Sequence, residues 1–390
     1  MRLTRLSLTD FRSYASAELH PDGGLTIVAG PNGAGKTNLL EAINVAITGR
    51  SHRAAADHEL VRHGQPFARV HLALAADGGD APGSSVELLL PGEGATAEIR
   101  KRLLVNGVPR RASTVGEVAR SVLFRPEEML LLIGAPSERR RFLDAILAQR
   151  DRVAARDLSE LARVLAQRNA LLRAIRREEA SDDGLAFWDE QLALTGGRVM
   201  AARLALVAEM DALLPGLHDA VAPREEQEDR VRLSYLDTLE DAWPVRPEGA
   251  DPISLADAFR RRIADARQKE LWNGVSLIGP HRDDLRVELA GRDVATHASR
   301  GQQRTIIVAM KLAERELLGG DGAPQPIVLL DDVFSELDPD RAERTLGLLL
   351  ERGQVLVTTA DLALLPVRRR RGVSVWNVGD GELRRAPRVA

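Results

Sequence analysis

Cysteine is absent from this 390-residue chain, which excludes disulfides and any Cys-based zinc site or hook. Aromatic residues make up only 3%, so composition does not favour a surface built on stacked, unpaired bases. Lysine is almost missing: Lys36, Lys101, Lys269 and Lys311 stand in a chain that otherwise writes its cations as arginine. No uninterrupted apolar stretch reaches the ~18 residues of a membrane helix. The start, Met1 to Leu8, alternates like a strand and lacks the apolar core of a signal peptide. A net charge of −3 gives no bulk attraction to nucleic acid. No internal repeat is visible. These absences describe a cytoplasmic protein without a membrane partner, long enough for two or three domains.

One of the four lysines lies in Gly30-Pro31-Asn32-Gly33-Ala34-Gly35-Lys36-Thr37, which fits the phosphate-binding pattern G-x-x-x-x-G-K-[ST]. Glycines let backbone N–H groups curl around phosphates, and the helix that follows adds its positive end. Lys36 would reach the β- and γ-phosphates of ATP, and the Thr37 hydroxyl would ligate Mg²⁺. Context supports the motif. Leu25 to Ala29 reads as a buried strand, and Asn38 to Ile47 as a helix with apolar positions at helical spacing.

Two further segments stand far downstream. Roughly 260 residues separate the loop from Ser299-Arg300-Gly301-Gln302-Gln303, more than the ~100–200 of a typical domain. Pro326 to Leu330 reads as a central parallel strand ending in Asp331-Asp332. Asp331 is placed to hold Mg²⁺, and Asp332 to orient or deprotonate the attacking water. An acidic pair at a helix start is the plainer reading of the same two residues. Ser299 can cap a helix predicted from Arg304 to about Leu317, with Gly301 and Gln302 beside an anion. One chain needs only one such phosphate-binding helix start for its own ATP. The second is therefore assigned to ATP bound by another copy, although a plain helix cap is the alternative.

Several segments together resemble the RecF family of bacterial recombination-repair ATPases, relatives of the SMC proteins. They are Leu8 to Tyr14, the loop through Asn38 to Ala42, and Pro126-Glu127-Glu128. Gly134 to Asp144, Gly279-Pro280-His281-Arg282-Asp283-Asp284, the Ser299 segment and Asp331 to Asp338 carry the rest. The resemblance implies an α/β fold: an ABC-type ATPase head split in sequence, with an inserted helical lobe forming a short arm. The head would occupy 1–136 and 273–390, and the lobe 137–272. It implies Arg12 and Asn38 among the nucleotide contacts, Arg12 on the nucleotide or on the loop backbone. An ion pair with nearby Asp10 is the alternative for Arg12. Lys36, Ser299 and Asp332 would be catalytic. Also implied are an ATP-dependent homodimer, binding to duplex and gapped DNA, work with RecR and RecO in loading RecA, and a place in the SOS response.

Three departures from the wider cassette pattern suggest a slow switch rather than a motor. The signature has Arg300 where many cassettes have glycine. Asp332 stands where glutamate is common. Thr358-Thr359 occupy the place of a switch histidine. The sensing residue of the Q-loop is Glu127 or Glu128. A transporter subunit and a non-hydrolysing scaffold are the competing classes; the split cassette opposes the first and Asp331-Asp332 the second.

Elsewhere the reading is coarser. Asn106-Gly107 marks a hairpin turn. Leu158, Leu161, Leu165 and Leu172 share one helical face, Val199, Leu206, Met210 and Leu213 another. Ser181 to Gly184 breaks the first helix, and Pro215 ends the second. Arginine clusters at 100–102, 110–111, 139–141, 260–262 and 368–371 fit solvated faces as well as DNA contacts. With no base-reading motif, DNA contacts should fall on phosphates and weaken with salt. His52, His58 and His63 match no zinc spacing, and His281 to Asp284 reads as an ion-paired turn.

Overall fold

The computed structural model describes residues 1–76, 83–96, 99–223, 230–239, 251–320, 322–366, 372–379 and 381–387. Most of the loose turn read at 76–85 and the arginine run at 368–371 lie outside these residues. In chain order the first strands are β1 (Arg2–Phe11), β2 (Tyr14–Leu19) and β3 (Leu25–Ala29), followed by helix α1 (Lys36–Thr48). Next come β4 (Phe67–Ala75), β5 (Ser84–Pro91), β6 (Arg102–Val105), β7 (Val108–Pro109) and β8 (Ser121–Phe124). The helical stretch holds α2 (Leu130–Ile133), α3 (Pro136–Arg150), α4 (Arg152–Arg176) and α5 (Leu185–Val221). Then follow β9 (Val231–Leu236), α6 (Pro252–Asn273), β10 (Asp284–Leu289), β11 (Arg292–Asp293) and α7 (Val294–His297). The last are α8 (Arg300–Leu318), β12 (Ile327–Asp331), α9 (Pro339–Leu350), β13 (Val355–Thr359), β14 (Val373–Gly379) and β15 (Glu382–Arg385).

These elements form two compact units. The first is Met1–Glu128, Leu217–Pro223 and Ile307–Ala390; the second is Met129–Gly216 and Arg224–Ile306.

The first unit is built on two six-stranded sheets. One, in order β2-β1-β4-β5-β6-β7, is antiparallel throughout. Its inner face follows from alternation: Ala68, Val70, Leu72 and Leu74 on β4 and Val86, Leu88 and Leu90 on β5 are buried. In β1 a register shift between Leu3 and Arg5 resets the phase, so Leu3 and then Leu6 and Leu8 all face inward. The hairpin between β6 and β7 turns at Asn106 (φ 52) and Gly107 (φ 75), the pair of positive φ values that a two-residue turn of this type needs.

The other sheet, β15-β14-β3-β13-β12-β8, is parallel except at β15. Its central strands are buried along their length, as their unbroken apolar runs require. Helix α1 supplies Leu39, Leu40, Ile43 and Val45 to a core shared with residues of both sheets.

The second unit is more than helical. Strands β11-β10-β9 form a small antiparallel sheet, and the signature segment also falls in this unit. The unit therefore runs beyond the expected 137–272 lobe, because β9 and β10 pair across the α6 insertion and carry the chain on to α7. The expected faces of α4 and α5 differ in one detail. Leu214 is fully buried while Leu213 is partly exposed, continuing the four-residue step from Leu206 through Met210. Pro215 does not end α5, which continues to Val221. Burial of His218 and Val221, and a hydrogen bond from Arg344 to the Val221 carbonyl (3.3 Å), hold that last stretch despite the lost N–H.

Arg168 ties the helices of this unit together. Its guanidinium is wholly buried and donates to Asp189 (2.8 Å), Glu270 (2.6 Å) and Ser276 (2.8 Å). The three helices α4, α5 and α6 thus meet on one cation. Arg168→Met should leave Glu270 buried without its partner and destabilise the unit by about 3–5 kcal/mol. Urea unfolding followed by helical circular dichroism checks this; a midpoint equal to the parent's would show that the cation is dispensable.

Candidate functional site

Strand β3 delivers the chain to Gly30 at the carboxyl edge of the parallel sheet. The Gly30 N–H bonds the Thr359 carbonyl at 3.3 Å, and a side chain there would collide with the Val378 carbonyl. Gly35 caps α1 at φ 106, with Ser13 Oγ and Tyr14 Oη only 2.8 Å from where a Cβ would stand. The Tyr14 hydroxyl donates to the Gly35 carbonyl at 3.0 Å, and burial pushes its phenol above the ordinary range. The loop is therefore shaped by contacts to the turn before β2 and to β2, β13 and β14 as well as by its own glycines. Lys36 folds back over it, donating to the carbonyls of Gly30 (2.8 Å) and Pro31 (2.9 Å).

Parallel register brings the distant carboxylates here. Asp331 pairs with Thr358 on β13, and Thr358 with Val28 on β3. The Asp331 Oδ1 accepts from Thr37 at 3.0 Å and from Thr358 at 2.6 Å, closing a gap of 294 residues between loop and acid. A hydroxyl and a carboxylate are hard oxygen donors, a set that suits Mg²⁺ completed by water. Asp332 leaves the strand in the left-handed region (φ 51), where its N–H still bonds the Thr358 carbonyl at 3.2 Å. Its carboxylate has no protein partner among the described residues, unlike that of Asp331.

The signature segment belongs to the second unit. Helix α8 starts at Arg300, a turn earlier than expected, because Ser299 and Gln302 form a reciprocal cap. Gln302 N–H donates to Ser299 Oγ (3.2 Å), and Ser299 N–H to Gln302 Oε1 (2.9 Å). Gly301 and Gln302 thus lie in the first helical turn. Of the two Q-loop candidates, Glu128 is buried and paired with Arg125 at 3.0 Å, while Glu127 is exposed.

Arg12 does not pair with Asp10, which is taken by Arg62 at 2.8 Å. Instead Arg12, at φ 52, grips Glu41 of α1 with two N–H groups (3.0 and 2.9 Å) and donates to the Glu59 carbonyl at 2.8 Å. Arg53 donates to both Glu41 and Asn38 at 2.7 Å, and Asn38 donates to Ser13 at 3.0 Å. Arg12, Ser13, Asn38, Arg53, Glu59 and Val61 line a cavity of about 530 Å³ beside the loop. Glu41, Ser51, Arg53 and Glu59 escaped the sequence reading. The signal for Glu41 was present: a carboxylate set among Leu39, Leu40, Ala42 and Ile43.

His52 lies near this network. Burial first, then Arg125 and Arg53, lowers its pKa to about 4, so it is neutral at physiological pH. In the second unit, burial raises Asp283 to about 6 against hydrogen bonds from Tyr235 (2.8 Å) and Thr238 (3.1 Å). Asp284 pairs with Arg139 at 2.6 Å, so the 281–284 turn is ion-paired.

Burial of Glu41 opposes its charge, but hydrogen bonds from Arg12, Arg53 and Ser51 outweigh that and hold its pKa at about 2, below the ordinary 4.5. A depressed carboxyl pKa stabilises the fold above the unfolded value and loses that contribution as pH falls through 4.5 toward 2. Glu41→Gln should therefore cost roughly 2–3 kcal/mol at neutral pH. It should also flatten the acid limb between these two values. Denaturation across a pH series checks this; an acid limb as steep as the parent's would exclude Glu41 as its source.

The RecF/RecN/SMC N terminal domain family matches residues 2–374. A "DNA replication and repair protein RecF" from Herpetosiphon aurantiacus is 38% identical over 93% of this chain and 94% of its own. One from Frankia alni is 40% identical over 94% and 95%. A solved recombination mediator protein RecF with ATPrS, described as part of the RecFOR pathway, superposes with a TM-score of 0.87 at 26% identity, covering 99% of this chain and 98% of that one. An SMC head bound to the C-winged helix domain of ScpA shares the fold at a TM-score of 0.55, with 15% identity over 99% and 97%. With the split cassette closed at Thr37 and Asp331, this chain belongs to the RecF family of DNA replication and repair proteins, built on the ABC-type ATPase fold of the SMC heads.

Proposed function

We propose that this chain is an ATP-gated DNA-binding protein whose two-copy form is made by ATP and undone by its hydrolysis. The meeting of Lys36, Thr37 and Asp331 in one unit carries the reading. The loop from Gly30 through Thr37 would cradle the phosphates, with Lys36 turning from the Gly30 and Pro31 carbonyls to the β- and γ-oxygens. Mg²⁺ held by Thr37 and Asp331 would neutralise charge on the same oxygens. Asp332, with its carboxylate unengaged by protein, would hold the attacking water and accept its proton as the bond from γ-phosphorus to the bridging oxygen breaks. The products are ADP and phosphate. Arg12, Asn38 and Arg53 line the cavity next to the loop and would take the rest of the nucleotide.

Ser299, Gly301 and Gln302 would meet the γ-phosphate of ATP bound by a second copy. The capped helix start supports this, since its N–H groups are ordered by the Ser299–Gln302 pair before any ligand arrives. Hydrolysis would be slow and stimulated by DNA. A solved relative is described as part of the RecFOR pathway, and this chain would likewise work with RecR and RecO on gapped or duplex DNA, leading to RecA loading in the cytoplasm. The lobe within 137–272 would serve as a short arm.

Asp332→Asn should keep ATP binding and a long-lived dimer while turnover falls at least about 100-fold, the scale of a lost general base. Lys36→Ala should instead weaken ATP binding itself. Turnover and light scattering with ADP and with ATP distinguish them. An Asp332→Asn protein hydrolysing at the parent rate removes Asp332 from the mechanism, and parent protein that never turns over ATP would favour a scaffold.

Ser299→Arg should leave ATP binding by the single chain intact and abolish ATP-dependent dimerisation, read by light scattering with and without gapped DNA. Normal dimerisation, or loss of ATP binding altogether, would refute the role in trans.

A further inference from the structure

Trp272 stands out in the second unit. It occupies the last turn of α6 and is 82% exposed, although the chain has only four tryptophans. Leaving an indole in water forgoes burial of a side chain that offers 150–250 Å² of mostly apolar surface. Its neighbours explain the direction it faces. Glu270, two positions earlier, points inward to Arg168, so Trp272 points away from the helix cluster. The chain then turns at Gly274 (φ 69), which packs against Arg173 and Arg176 at the end of α4. Trp272 makes no ring or cation contact among the described residues.

The surroundings are cationic and polar. Arg173, Arg176 and Arg177 are exposed and form no ion pair among the described residues, and Lys269 lies one turn before Trp272 on α6. Arg176 gives one N–H to the Asn273 carbonyl at 3.2 Å, leaving its other donors. Other arginines of the same unit, among them Arg139, Arg198, Arg203, Arg260 and Arg267, are held by carboxylates. The acids of the segment after α4 are Asp182, taken by Arg267, Asp183, which accepts from Ser181, and Glu178 and Glu179. Phe187 on α5 is also exposed but is engaged edge-on by Trp188.

A protein-binding hot spot would set such an aromatic anchor in an apolar surround that excludes water. Here a lone indole is bordered by guanidinium and ammonium groups. That combination suits a nucleobase face flanked by phosphates, as in single-strand binding sites where bases stack on aromatics along a basic track. A base inside a duplex keeps its faces covered by its neighbours, so the occupant must be unpaired.

We propose that Trp272, with Arg173 and Arg176, binds an unpaired stretch of DNA, the indole stacking on a base and the arginines holding adjacent phosphates. This rests on the DNA-binding reading above and assigns the single-stranded part of a gap to this end of the helical unit.

The test measures affinity by anisotropy of labelled oligothymidine, gapped duplex and fully paired duplex, with ATP, for parent, Trp272→Ala, Trp272→Phe and Arg173→Ala/Arg176→Ala. Trp272→Ala should bind oligothymidine and gapped DNA about tenfold more weakly while paired duplex changes little. Trp272→Phe should restore most of the loss, and the double arginine variant should lower the salt dependence for oligothymidine. Quenching of parent tryptophan fluorescence by oligothymidine should be much reduced in Trp272→Ala. The residue is exposed, so unchanged melting serves as the folding control.

Unaltered gapped-DNA affinity in Trp272→Ala overturns the proposal, as does equal loss on paired duplex. Loss of ATP-dependent self-association with unchanged DNA binding would assign the indole to a protein contact instead and overturns it too. Parent protein that binds no DNA sinks both this inference and the reading beneath it; parent binding with a silent Trp272→Ala sinks this one alone.

Discussion

The hydrogen bond between Thr37 and Asp331 is the constraint on which the rest of the nucleotide-binding unit depends. Its partners are 294 residues apart, so it exists only if β3, β13 and β12 lie side by side in parallel and in register. A one-residue slip of β12 would turn the Asp331 side chain to the opposite face of the sheet. Thr358 locks the arrangement from the strand between, donating to the same carboxylate oxygen and receiving the Asp332 N–H. The unbroken apolar runs of these strands are therefore more than core. They hold register for a site made at their carboxyl ends.

Around that node, charge is handled in two ways. Near the loop, Glu41 collects Arg12, Arg53 and Ser51 and remains ionised despite burial. The same two arginines line the neighbouring cavity, so the carboxylate that stabilises the fold also orients groups on the cavity wall. In the helical unit, Arg168 and Arg203 serve as buried ties between elements, Arg203 reaching Asp144, Tyr235 and the Pro280 carbonyl. The chain's preference for arginine over lysine fits this use, because a planar fork with five donors can join several partners at once. Lys36, one of the four lysines, departs from this for a related reason: it needs a compact charge on a flexible stem inside a glycine loop.

Local chemistry made much of this legible beforehand. The glycine loop between an apolar strand and a helix, the Asp331-Asp332 pair at a strand end, the Asn106-Gly107 turn and the Ser299 cap each rest on short-range rules. The misses share a different cause. The alternative partner for Arg12, Asp10 two residues away, gives way to Glu41, because the left-handed turn at Arg12 directs its side chain toward α1. Pro215 should have ended α5 by propensity, but burial of His218 and Val221 outweighed the lost hydrogen bond. The 137–272 stretch reads as helical from sequence, yet it holds β9, which pairs with β10 across the inserted α6.

The sequence by itself determined the loop, the two acids, the capped helix start and the family, because each is written in residues close together or in a pattern of types. Only the tertiary structure decided which side chains meet. It joined Thr37 to Asp331, gave Arg12 to Glu41 and Arg62 to Asp10, and buried Arg168 while leaving Trp272 in solvent. The physical reason is that ion pairing and exposure depend on distances through space. Strand register and helix packing set those distances, and neither is encoded at any single position.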